Sequence, residues 1–190
     1  MWCLRSIVLG LVLLSLSSVT VADAPAPTRL QIVTARSTAT YHLIHKMHKV
    51  DAVSKKVEGK AVLTDGKAQV MVRIPVDSFD SENVNRDAHM KETVEAATYP
   101  TIELKAVGPA VVPATFPSTV KSSFKVQLVF HGVKQLFEVP VELTWTSATE
   151  VSATTTFKIS LDGFKIERPS LMFMKVDDEL VLDAKLVFTP

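Results

Sequence analysis

Much of the chain alternates between apolar and polar side chains at a period of two. Ala68, Val70, Val72 and Ile74 share one parity, with Gln69 and Arg73 on the other. Phe124, Val126, Leu128 and Phe130 lie opposite Lys125 and Gln127, and Phe137, Val139, Val141 and Leu143 lie opposite Glu138, Pro140 and Glu142. Val151, Ala153, Thr155, Phe157 and Ile159 form a further face, as do Ile102, Leu104 and Ala106, and Leu180, Leu182, Ala184, Leu186 and Phe188. Successive side chains of a strand point to opposite faces, so each run predicts a strand with one face in a core and one in water. Two earlier strands near 38–48 and 54–64 bring the expected total to eight, at hairpin intervals. Asp65-Gly66 and His131-Gly132 are tight-turn signals. Residues 108–119, with Gly108, Pro109, Pro113 and Pro117, read as a loop excursion.

One stretch breaks the rhythm. Residues 83–94 lack the period of two, and the spacing predicts one short helix over 85–96, ended before Tyr99-Pro100. Asn85 is the expected N-cap, Asp87 falls in the first turn, and Met90 and Val94 sit four apart, facing inward together. A meander of eight strands leaves two open edges, and closing into a barrel removes both. The pattern therefore predicts an all-β, eight-stranded antiparallel barrel whose interior is either filled by side chains or wide enough for one small ligand.

Composition narrows the function classes. Lys and Arg total 21 against 20 Asp and Glu, a net charge of +1, which argues against a nucleic-acid partner. Arg5, the apolar run from Ile7 to Leu16 and Ala22-Asp23-Ala24 read as a secretory signal. Residues 1–24 are thus expected as a cleaved signal peptide, 25–37 as a lead-in and 38–190 as one barrel domain, exported to a periplasm or secreted and not integral to a membrane. The single cysteine, Cys3, departs with the signal, so no disulfide is expected.

Candidate chemistry is sparse. On a single strand His42 and His48 would share a face about 20 Å apart, with His45 on the other, so the three make no metal shell. His89 and His131 are isolated, and His131 reads as a turn residue. Asp77, Asp80, Glu82 and Asp87 cluster around the helix start, where turn and capping chemistry explains them better than catalysis does. Asn85-Arg86-Asp87 is open to a structural ion pair that fixes the helix. No catalytic residue, metal or cofactor is expected, and the barrel's inward faces remain the functional candidates.

In order along the chain, Val57-Glu58-Gly59, Asn85-Arg86-Asp87-Ala88-His89-Met90 with Tyr99-Pro100-Thr101-Ile102, Phe130-His131-Gly132-Val133-Lys134 with Val139-Pro140-Val141, and Asp177 to Leu182 resemble motifs of the YceI-like family. Two stretches depart from its pattern: Thr38 to Lys49, and Gly163-Phe164 with Arg168 to Leu171. The resemblance implies a lipocalin-like barrel with the helix at its mouth. It also implies an elongated tunnel for a polyisoprenoid or similar long-chain amphiphile, and a periplasmic or secreted home. On this reading the expected tunnel residues are Val70, Val72, Leu104, Phe124, Val126, Leu128, Phe130, Phe157, Ile159, Leu182 and Leu186, with Arg86 or His89 holding a polar head at the rim. The expected partner is a long-chain lipid or isoprenoid, with a homodimer left open. The alternatives kept are a filled barrel serving stress response or protein interaction and, below it, a lipid-modifying enzyme.

Overall fold

The computed structural model describes residues 26–45, 48–171 and 174–190. The expected signal segment 1–24 lies outside the described residues. The strands are β1 (Thr28–Ile32), β2 (Thr38–His45), β3 (His48–Ser54), β4 (Glu58–Thr64), β5 (Lys67–Pro75), β6 (Phe79–Asp80), β7 (Thr101–Pro109), β8 (Ser118–Phe130), β9 (Val133–Trp145), β10 (Val151–Ser160), β11 (Ser170–Leu171), β12 (Met174–Lys175) and β13 (Glu179–Thr189). One helix, α1 (Val84–Thr93), lies between β6 and β7.

Antiparallel pairing runs β1-β4-β5-β7-β8-β9-β10-β13 and returns from β13 to β1, closing an eight-stranded barrel. β2 and β3 continue β1 and β4 beyond a kink, so the first two barrel strands are long and bent. β13 pairs with β2 from Leu180 to Lys185 and with β1 at Phe188 and Thr189. Buried Ser37 bridges the gap between them: its Oγ donates to the Val33 carbonyl and accepts from the Val187 N–H. A buried side chain thus satisfies a ladder position that the bent backbone vacates.

The alternation translates directly into the barrel wall. Inward residues from β1, β4, β5, β7–β10 and β13 form the core together with Phe164 after β10, and Leu30, Trp145 and Phe164 are fully buried. Asp65-Gly66 and His131-Gly132 are two-residue turns with both φ positive, the geometry that lets a hairpin match strand twist. Gly132 has a second constraint: a Cβ there would meet the Tyr99 ring at 2.6 Å.

Three details differ from the sequence reading. The strand expected over 38–48 turns back earlier: His45 pairs with His48, and 48–54 belong to the next strand. Ile44 to Val50 holds no Gly, Asn or Asp to signal that turn. The helix is capped by Asn83, whose side chain accepts from the Arg86 N–H at 3.0 Å, and not by Asn85. Both asparagines satisfy the preference, and only the side-chain geometry selects between them. Within the expected lead-in, Thr28–Ile32 is a barrel strand, because Leu30 fills the core.

Candidate functional site

The interior is divided. At the helix end lies a chamber of about 450 Å³, and below it a second of about 100 Å³. The walls of the upper chamber come from Tyr41 and Leu43 of β2, Val50 of β3, Ile102 of β7, Leu128 and Phe130 of β8, Ile159 of β10, and Leu180 and Leu182 of β13. Val76, Phe79, Leu161, Ile166 and Val176 complete the apolar lining. The chain between β5 and β7 crosses the mouth: β6 pairs with β3, and α1 contributes Arg86, His89, Met90 and Thr93 to the lining, with Val94 at its C-cap.

Polar groups gather on one side of this mouth. Arg86 Nε donates to Ser81 Oγ at 3.1 Å, and Nη2 donates to the Ser81 carbonyl at 3.0 Å. Asp87 Oδ1 accepts from the Ser81 N–H at 3.1 Å and from Ser81 Oγ at 2.5 Å. The expected Arg86–Asp87 ion pair is not formed; both side chains converge on Ser81. Arg86 is half-buried and has no carboxylate partner among the described residues. Its guanidinium therefore faces an apolar chamber with spare donors. His89 lies at the solvent edge, 64% exposed. The Tyr41 hydroxyl is pushed up to about 12, first by burial and then by the charge of Asp87, with Arg86 opposing. It stays neutral and able to donate at any physiological pH. Asp80 caps a local turn by accepting from the Glu82 N–H, so Asp80 and Asp87 of the acidic cluster are engaged in local hydrogen bonds.

All of the sequence-derived candidates line one chamber or the other. Leu128, Phe130, Ile159, Leu182, Arg86 and His89 line the upper one; Val70, Val72, Leu104, Phe124, Val126, Phe157 and Leu186 line the lower. Where one elongated tunnel was expected, the interior holds two chambers with no lining residue in common. Leu104, Phe137 and Phe157 each pack against the core clusters of both chambers, and the Phe137 and Phe157 rings, on neighbouring strands, have centroids 6.1 Å apart. Tyr41 and Phe137 are absent from the sequence-derived site residues. Tyr41 shares parity with Leu43, the signal that could have placed it inside.

His42 and His131 lie away from the chamber lining. His42 sits on the outer wall, with Nδ1 2.6 Å from Asp51 Oδ1 and Nε2 2.8 Å from Asp183 Oδ2. Half-buried His131 occupies its turn; Nδ1–H donates to the Phe164 carbonyl at 3.0 Å, and the ring packs edge-on against Tyr99. Among the described residues no group of three or more His, Cys, Asp or Glu could hold a metal, and no helix is long and apolar enough to cross a membrane.

Fold and cavity together define the class, a lipocalin-like eight-stranded antiparallel barrel with an apolar chamber beneath a helical rim. Residues 30–188 match the model of the YceI-like domain, and the chain belongs to that family. Three solved structures share the fold. A polyisoprenoid binding domain from Saccharophagus degradans, implicated in plant cell wall breakdown, is 15% identical with a TM-score of 0.69, covering 84% of this chain and 97% of that one. BcnA of Burkholderia cenocepacia is 19% identical with a TM-score of 0.67, covering 82% and 98%. The Campylobacter jejuni YceI protein is 16% identical with a TM-score of 0.59, covering 77% and 88%. No curated protein matches the chain.

Proposed function

We propose that this protein is an exported, non-enzymatic carrier that sequesters an amphiphile with a polyisoprenoid-like apolar chain. The observation that carries the reading is the apolar chamber of about 450 Å³ opening beneath Arg86, a cation with no carboxylate partner among the described residues. The volume lies within the range of small-molecule sites. Its lining is aliphatic and aromatic, and desolvation of a chain contributes about 0.8 kcal/mol per buried CH₂. Arg86, Tyr41 and His89 supply donors at the rim, where a polar head keeps contact with water. The Saccharophagus neighbour, described as a polyisoprenoid binding domain, supports this ligand class, and the signal-like residues 1–24 support export.

The test is native mass spectrometry of the protein purified from an exported fraction, followed by organic extraction. Wild type is expected to carry an amphiphile in stoichiometric amount. Leu128→Trp, which projects an indole into the upper chamber, is expected to abolish loading while keeping the β-sheet circular dichroism. Equal loading of a folded Leu128→Trp protein would overturn the reading.

A further inference from the structure

We infer that Leu104, Phe137 and Phe157 form a chain-length stop, so that a bound chain ends at the barrel's waist and does not run to its floor. The inference rests on the carrier reading above and adds which ligands that carrier accepts.

No residue lines both chambers. On four strands the lining passes from one chamber to the other between successive inward positions: Ile102 to Leu104, Leu128 to Val126, Ile159 to Phe157, and Leu182 to Ala184. Leu104 pairs with Leu128 and Phe157 with Leu182, so the dividing plane runs between registered neighbours on both strand pairs. Leu104 packs into all three core clusters, and Phe137 and Phe157 each pack into two. Phe137 is backed in turn by Phe164, stacked at 6.3 Å. Below this plane the void of about 100 Å³ is smaller than an engineered cavity of roughly 150 Å³ that just admits benzene. A methyl-branched chain does not enter it without moving a ring.

The wall beside the two phenylalanines is built differently from the rest of the barrel. β9 and β10 pair only from Trp145 and Val151 to Glu142 and Thr154. Continuing that register sets Pro140, which has no N–H to donate, opposite Thr156. Past this point no backbone hydrogen bond joins Val133–Val141 to Thr155–Ser160. Side chains hold the seam instead: Thr155 Oγ1 donates to the Pro140 carbonyl at 2.6 Å, and Gln135 Nε2 donates to the Gly163 carbonyl at 2.5 Å. Phe137 and Phe157 project from the two strands of this seam. Each is held in a ladder on its other side, Phe137 opposite Val126 and Phe157 opposite Leu182, so the two rings are fixed at this level and their size sets the depth available.

The experiment measures binding of farnesol, geranylgeraniol and solanesol to the full mature chain by native mass spectrometry. Wild type is expected to bind farnesol and to reject solanesol. Phe157→Ala removes the stop and is expected to raise affinity for geranylgeraniol relative to farnesol tenfold or more, at about fourfold for each further methylene buried. Ala184→Leu narrows only the lower chamber. In wild type it is expected to leave the length profile unchanged, and in Phe157→Ala to reverse the gain. This variant keeps the test decisive should Phe157→Ala fail to fold. A length profile indifferent to Phe157→Ala, wild-type binding of solanesol as tight as that of farnesol, or a loss of longer prenols in Ala184→Leu alone would overturn the stop and leave the carrier reading standing. Failure of wild type to bind any of the three would overturn the carrier reading itself.

Discussion

At the scale of single residues, the outer-wall cluster around His42 makes the clearest pH prediction. With both ring nitrogens on carboxylates, only the imidazolium can donate at each, so the hydrogen bond to Asp51, and after it the one to Asp183, hold the His42 pKa above its usual range. Asp183 is held below the usual carboxylate range by Thr156 and then His42, and Asp51 by His42 and then Lys49. A raised histidine stabilises the fold fully below its unfolded pKa of about 6.5, and that contribution fades as pH rises through the higher folded value. The lowered carboxylates contribute above about pH 4 and lose their contribution as pH falls. The cluster is therefore worth most between about pH 4 and 6.5. The carboxylates are nearly half exposed, so the effect is small, of the order of 1–3 °C in Tm. His42→Asn is expected to lower Tm at pH 5.5 and leave it unchanged at pH 9; an equal loss at both would assign the effect to packing. Inward parity was legible at this scale because a period of two allows only two answers. The His42 partners were not, because Asp51 comes opposite His42 only through the β2–β3 reversal and Asp183 lies 141 residues further along the chain.

At the scale of elements, caps and turns decide how the rim is held. No residue of α1 is fully buried, so its hydrogen-bonded ends matter more than for a core helix. Asn83→Ala is expected to cost α1 about 1 kcal/mol and to speed exchange of its amides roughly fivefold, with the barrel amides unaffected. Hydrogen–deuterium exchange reads this directly, and unchanged α1 amides would show that rim packing alone holds the helix. The helix itself was visible as a break in strand rhythm, while its cap was placed two residues late. The β2–β3 reversal was missed because its residues carry no turn chemistry; the strands on either side enforce it. Pro140 was visible as an outward position of β9, but nothing local shows that it ends pairing with β10.

At the scale of the whole molecule, closure depends on β1, which pairs with β13 at only two positions and with β4 at four. Leu30, fully buried, anchors that short strand in the lower core. Leu30→Ala is expected to destabilise the protein by about 3 kcal/mol, lowering the urea midpoint by about 1–2 M at unchanged m-value. A shift below about 0.5 M would mean that the barrel closes without β1. The sequence by itself determined the class of architecture, the inward faces of the strands and the rim position of Arg86 and His89, because strand periodicity and family motifs are local signals. Only the tertiary structure decided that β1 completes the ring, that Arg86 and Asp87 meet at Ser81, and that the interior is two chambers. Whether aromatic rings from different strands meet across a barrel depends on register and strand tilt, and those are settled only when the ladder closes.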